Sequence, residues 1–232
     1  MITKDYILQT ACKFLDYIYK KRCYFCGSSI ESVKMCSKCF NELEYSDFEP
    51  NRLISDICVY SAGIYEKTLQ KMIRGLKYHK QRDLAFYIAK FMRDYFINLE
   101  NLNPLTQKYQ VVPVPLHKDR EKKRGYNQMK LIADEFCALC AYIPNHDLIK
   151  RIKNTKPQYN LSKEERMQNL EGAFEVNSEK LIKNLPILLI DDICSTGASF
   201  NSIISTLKEK GIDNVICLAV SVPKFNMRVK NE

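Results

Sequence analysis

The chain has 232 residues, 46% of them hydrophobic and 27% charged, the balance of a soluble globular protein with room for one medium domain and a small appendage. No run approaches the roughly 20 apolar residues that cross a bilayer, so no transmembrane segment is expected. The net charge of +9, from 36 Lys and Arg against 27 Asp and Glu, suits an anionic partner. Nucleic acid, a phosphorylated metabolite and a membrane surface all qualify, and charge alone does not choose among them.

The N-terminus carries Ile7, Leu8, Ala11, Phe14, Leu15 and Ile18 at helical spacing, interrupted by Lys4, Asp5, Lys13 and Asp16. This predicts an amphipathic helix packed on the protein body rather than a secretory signal. Ten cysteines without such a signal argue against a disulfide scaffold and for a reducing, cytoplasmic setting in which some cysteines bind metal.

Residues 1–55 hold five of those cysteines and have little strand character. They are expected to form one module, and residues 56–232 the main domain. Cys23-Tyr-Phe-Cys26 and Cys36-Ser-Lys-Cys39 are two C-x-x-C pairs with nine residues between them. Each pair can present two thiolates from a tight turn, and Gly27 follows the first as a knuckle would need. Four thiolates complete a tetrahedral zinc site with no open position, so the expected role is structural. A third C-x-x-C, Cys137-Ala-Leu-Cys140, lies within a helical apolar pattern and reads as core packing.

From residue 56 onward, strand-like and helix-like runs alternate. Strands are predicted at 57–64, 110–115, 187–191 and 215–221, each rich in Val, Ile and Leu and bounded by turn residues. Helices are predicted at 67–78, 83–98, 125–141 and 198–210, the last ending before Gly211. Such alternation implies an α/β fold with a mostly parallel sheet covered on both faces, whose ligands bind beyond the carboxyl ends of the strands.

Two loops at strand ends stand out. After Val111-Val-Pro113-Val-Pro115, five basic residues fall among the seven from Lys118 to Arg124, and Gly125-Tyr-Asn-Gln128 leads into a helix. The basic run suits a pyrophosphate, or is merely a solvated charged turn. From Ile149 to Val176 the chain is polar and basic, with a short helical piece near Lys163–Leu170, and reads as a long loop that could serve as a lid.

The sharpest signal is Ile187-Leu-Leu-Ile-Asp191-Asp192-Ile-Cys-Ser195-Thr196-Gly197-Ala198-Ser199. An apolar strand ends in two carboxylates and passes into a hydroxyl-rich turn that opens a helix. Gly197 allows the backbone to turn tightly, and successive N–H groups at a helix N-terminus make an anion cradle. Carboxylates would repel that anion, but they can hold sugar hydroxyls and a metal ion beside it. The combination suits a ribose 5-phosphate.

This stretch resembles the PRPP-binding motif of type I phosphoribosyltransferases, with Ser195 and Ser199 where that motif has Thr. Five segments in order also resemble the ComF family of competence proteins, relatives of amidophosphoribosyltransferases. They are the paired C-x-x-C motifs, Gly75-Leu-Lys77-Tyr78, Pro113-Val-Pro115-Leu through Arg124-Gly-Tyr-Asn-Gln128, the run holding Arg151, Thr155, Gln158, Arg166, Asn169, Gly172 and Phe174, and the Asp191-Asp192 motif. The resemblance covers nearly the whole chain.

It implies a type I phosphoribosyltransferase fold behind a zinc module. Asp191 and Asp192 would contact ribose hydroxyls and Mg²⁺. Ser195, Thr196, Gly197, Ala198 and Ser199 would hold the 5-phosphate, Lys118 and Arg120 would face the pyrophosphate of PRPP, and residues 149–169 would form a flexible hood. It further implies a cytoplasmic protein of natural transformation, peripheral at the inner membrane, that binds PRPP and assists single-stranded DNA uptake beside a helicase-type partner. A Mg²⁺-dependent phosphoribosyltransferase of unknown acceptor and a PRPP- or nucleotide-sensing regulator stay open as alternatives. The 14 Tyr and 11 Phe could stack bases, although their periodicity places most in the core.

Overall fold

A computed structural model describes residues 21–30, 34–99, 108–155 and 162–224. The predicted N-terminal helix, Cys12 and Gln158 lie outside these residues. The chain divides into two compact units, Met1–Leu43 and Glu44–Glu232.

In the first unit, Cys23 N–H bonds to Ser28 O at 2.8 Å and Gly27 N–H to Cys23 O at 2.9 Å, closing a knuckle in which Gly27 takes φ +74°. The short helix α1 (Ser37–Asn41) follows, its first turn capped by the Cys36 sulfur, which accepts from Cys39 N–H.

The second unit is built on a six-stranded sheet, ordered β1-β2-β8-β7-β3-β4. Its strands are β1 (Arg52–Ile54), β2 (Ile57–Ile64), β3 (Gln110–Pro113), β4 (Ile143–Pro144), β7 (Ile187–Ile193) and β8 (Val215–Val222). Only the β1–β2 pair is antiparallel. Because β1 pairs with β2, and Tyr45 bridges Gly63, residues from Glu44 onward pack with this unit, ahead of the boundary expected at residue 55.

The helices are α2 (Lys67–Tyr78), α3 (Leu84–Ile97), α4 (Lys118–Arg124), α5 (Gln128–Cys140), α6 (Lys163–Leu170) and α7 (Ala198–Lys208). Side chains alternate across a strand, and the burial follows that rule. Val59, Ile187, Leu189, Cys217 and Ala219 share one cluster with Phe200, Ile203, Ile204 and Leu207 of α7. Leu188, Ile190 and Leu218 are fully buried and point to the opposite face, where α5 packs on β3 and β7. There α3 lies against α5, with Phe96 edge-on to Phe136. Cys137 is buried in this layer, and burial pushes its thiol up to about 12, so it behaves as a small hydrophobe.

Two sequence-based expectations change. The basic run 118–124 is helix α4 rather than a loop: Lys, Arg and Glu are good helix formers, the His117 ring accepts Asp119 N–H, and Gly125 closes the end at φ +83°. The stretch 149–176 is not loop throughout. Its ends, β5 (Ile149–Arg151) and β6 (Phe174–Val176), pair antiparallel and flank α6. Only two buried positions alternate in the second of these strands, too few to outweigh the surrounding polar sequence.

The chain enters β3 and winds outward to β4 through α5, while β7 winds the other way to β8 through α7. The crevice beyond the adjacent carboxyl ends of β3 and β7 is therefore the topological switch point, where an open α/β sheet binds its ligands.

Candidate functional site

Asp191 and Asp192 lie at that switch point, but β7 continues through both to Ile193. Consecutive strand residues face opposite ways, so the two carboxylates separate. Asp192 turns toward α2 and α5. Lys77 Nζ from the last turn of α2 is 2.8 Å from its Oδ1, and Gln128 Nε2, from the first residue of α5, donates to its Oδ2 at 3.0 Å. Burial alone would push this carboxyl up, but the Lys77 charge and the Gln128 bond outweigh it and hold the group below its ordinary range. Lys77 shows the reciprocal effect: burial opposes its charge, yet Asp192 keeps the ammonium above its usual range.

Asp191 faces the α7 side. Its Oδ1 accepts Asp192 N–H at 2.8 Å. Burial first, and the neighbouring Asp192 charge second, push its pKa up to about 7, against the opposing pull of that amide, Lys77 and Arg151. The doublet thus holds one committed carboxylate and one acid poised near neutrality.

The Arg124–Gln128 stretch is the scaffold of this arrangement, and each residue has a task. The Arg124 guanidinium donates to Gln128 Oε1, fixing the amide so that its NH₂ points at Asp192. Gly125 ends α4 in the left-handed conformation. The Tyr126 hydroxyl donates to Leu76 O, tying the turn to the helix that carries Lys77. Asn127 Oδ1 caps α5 by accepting from Met129 N–H at 2.9 Å.

The turn after β7 is set by its own chemistry. Gly197 adopts φ +78° and precedes α7 directly. Thr196 Oγ1 accepts Ala198 N–H at 3.3 Å, so that amide is satisfied within the turn. The Arg52 guanidinium of β1 donates to Ser195 O at 3.0 Å and also to Thr196 O. In a trans peptide the C=O and N–H point in opposite directions, so the Thr196 and Gly197 amides are directed away from Arg52. Ser195, Thr196 and Ser199 are partly exposed, whereas Gly197 and Ala198 are buried.

Arg120 and Arg151 gather around Thr155. Arg120 Nη2 donates to Thr155 O at 2.7 Å, and Arg151 Nη2 donates to Thr155 Oγ1. Burial and then Arg120 bring the Arg151 pKa down to about 10, while burial and Arg124 lower that of Arg120. Crowded guanidiniums of this kind favour an anion between them. Lys118 is exposed, and its α4 neighbour Asp119 accepts from Asn154 at 2.6 Å.

The structure therefore joins Arg120 to Arg151 through Thr155 and sets Arg151 near enough to act on Asp191, which the 195–199 turn follows in the chain. Asp192 faces the other way, to Lys77 and Gln128, and Lys118 is left at the surface. Arg52, Lys77 and Gln128 were missing from the sequence-derived site. Lys77 and Gln128 each stood inside a motif that could have flagged them; Arg52, in Asn-Arg-Leu-Ile, had no such signal.

In the first unit, the sulfurs of Cys23, Cys26, Cys36 and Cys39 lie within 4.8 Å of one another, and those of Cys26 and Cys36 are 3.7 Å apart. Zinc–sulfur bonds of about 2.3 Å in a tetrahedron place sulfurs at about this separation. The set fits a structural zinc ion. The aspartate doublet offers no comparable cage for Mg²⁺: the four cysteines are the only such ligand group among the described residues, and Lys77 already occupies Asp192.

No family model matches the chain. Curated proteins do. Competence protein F of Haemophilus influenzae is 29% identical over 83% of this chain and 86% of its own length. Competence protein ComFC of Bacillus subtilis is 28% identical over 90% of the chain and 84% of its own.

The chain is similar over most of its length to competence proteins of the ComF family.

DNA utilization protein YhgH of Salmonella typhimurium is similar too, 23% identical over 83% of the chain and 86% of its own length. These matches span most of this chain and of each relative, so the likeness extends well beyond any one motif. Among the described residues no helix is long and apolar enough to cross a membrane.

Proposed function

We propose that this protein binds a phosphoribosyl group, PRPP or a related ribose 5-phosphate, and serves the handling of single-stranded DNA in competence. The observation that carries the first half is the Gly197 turn at the switch point, with its carbonyls tied back and its amides directed outward, beside an aspartate doublet. A 5-phosphate would sit on the 195–199 turn and the helix N-terminus behind it. The ribose hydroxyls would lie against Asp191, with Asp192 contributing while paired to Lys77. Arg120 and Arg151 would take the pyrophosphate, with Lys118 at the rim. Mg²⁺ would arrive bound to that pyrophosphate, keeping several waters, rather than in a protein cage.

The second half rests on the names of the relatives, on the +9 charge and on general phosphate chemistry. In this reading the protein acts on the cytoplasmic side of the inner membrane, beside a partner that does the mechanical work. The guanidinium cluster also favours a second reading, transfer of the phosphoribosyl group to an acceptor. The arginines would stabilise departing pyrophosphate, and the acids the positive charge growing on the sugar.

Calorimetric titration with PRPP, with and without Mg²⁺, tests the binding site. Micromolar binding that D191A with D192A abolishes is expected, and affinity unchanged by those substitutions would reject the site. Pyrophosphate release with candidate bases separates turnover from binding. Single-stranded DNA binding at two salt concentrations, steep in salt and retained in the aspartate variant, is expected for the DNA role.

A further inference from the structure

Arg52 reaches the 195–199 turn from the far edge of the sheet, with β2 and β8 between its strand and β7. Its two terminal nitrogens hold the carbonyls of successive residues, Ser195 at 3.0 Å and Thr196. Its Nε is buried with no hydrogen-bond partner among the described residues, so the hydrogen bonds this guanidinium makes there run through its two terminal nitrogens to the turn. Space at the contact is closed: a Cβ on Gly197 would fall 2.8 Å from Arg52 Nη1 and 3.1 Å from Ile54 Cδ1. A glycine is therefore required there twice over, by its φ of +78° and by the guanidinium beneath it.

We propose that Arg52 is the positioning residue of the phosphate turn: by clamping two successive carbonyls from behind, it presents the Thr196 and Gly197 amides as a preset anion cradle and adds a positive charge under it. The inference rests on the phosphoribosyl reading and adds to it the group that shapes the cradle. A turn whose carbonyls rotated freely would present C=O and N–H to the ligand by turns. A phosphate would then have to order the peptide planes at its own expense. With both carbonyls occupied, the amides are oriented before the ligand arrives, which is the condition for strong electrostatic stabilisation.

The role is specific to the 5-phosphate, because Arg52 stands behind the turn and the pyrophosphate arginines belong to other elements. The experiment compares wild type, R52A and R52K, as full zinc-loaded chains, for calorimetric binding of ribose 5-phosphate and of magnesium pyrophosphate. The expected result is a loss of about tenfold to a hundredfold for ribose 5-phosphate in R52A, the scale of losing charge-assisted hydrogen bonds. R52K, which keeps the charge but cannot fork to two carbonyls, should lie between. Pyrophosphate affinity should hold within about twofold in both.

Should R52A fail to fold, R52K with the same two ligands decides. Ribose 5-phosphate affinity unchanged in the variants, or equal losses for both ligands, would overturn the inference while leaving the site reading intact. A wild-type chain that binds pyrophosphate but no phosphosugar would remove the reading and the inference together.

Discussion

Lys77 Nζ and Asp192 Oδ1 stand 2.8 Å apart with side chains only 15% and 13% exposed, joining the last turn of α2 to the carboxyl end of β7. Removing one partner of a buried pair leaves the other uncompensated. K77A should therefore cost about 3 kcal/mol in chemical denaturation. Replacing the pair together, as K77M with D192L, should cost distinctly less. The Asp192 pKa is depressed, so its stabilisation is present above the ordinary aspartate range and lost as pH falls below it. K77A should flatten that acid limb.

The other aspartate has the opposite sign. Asp191 is pushed up to about 7, so between roughly pH 4 and 7 the folded state holds a proton that the unfolded state has released. Its contribution is present below the ordinary aspartate pKa and is lost as pH rises through 7. Urea unfolding at pH 5 and pH 8 should show wild type losing more stability across that interval than D191N does. Equal losses would mean that Asp191 titrates normally.

Gly197 is held at φ +78° with Arg52 in the space that a side chain would need. G197A should destabilise the fold by about 1–2 kcal/mol from the left-handed backbone alone. It should also weaken ribose 5-phosphate binding more than that cost implies, because the guanidinium must move. Thermal unfolding and calorimetry on one preparation check both halves.

The zinc assignment predicts one metal ion per chain by elemental analysis. Ala at Cys23, Cys26, Cys36 or Cys39 should abolish it, and C137A should leave it unchanged. Loss of the ion should expose residues 21–43 to protease, since metal binding supplies most of the folding free energy of so small a segment.

The parallel strands β2, β3, β7 and β8 were legible because each carries a mostly apolar run buried on both faces, a pattern that needs no tertiary context. Helix α2 was legible because its buried residues, Leu69, Met72, Ile73 and Leu76, fall on one face. The short strands were not: Arg52–Ile54 and Ile149–Arg151 owe their state to a partner strand. Helix α4 read as a charged turn because it has no buried side chain and so no apolar period.

By itself, the sequence determined the alternation of strands and helices, the four clustered thiols and the turn beyond the aspartates, because spacing and residue chemistry are local. Only the tertiary structure decided which groups surround that turn. Strand pleating sent Asp191 and Asp192 to opposite faces, and chain folding brought Lys77 and Gln128 to Asp192, and Arg52 to the turn, from distant elements. The state of a carboxylate is set by the charges and solvent around it, and those neighbours exist only once the sheet has assembled.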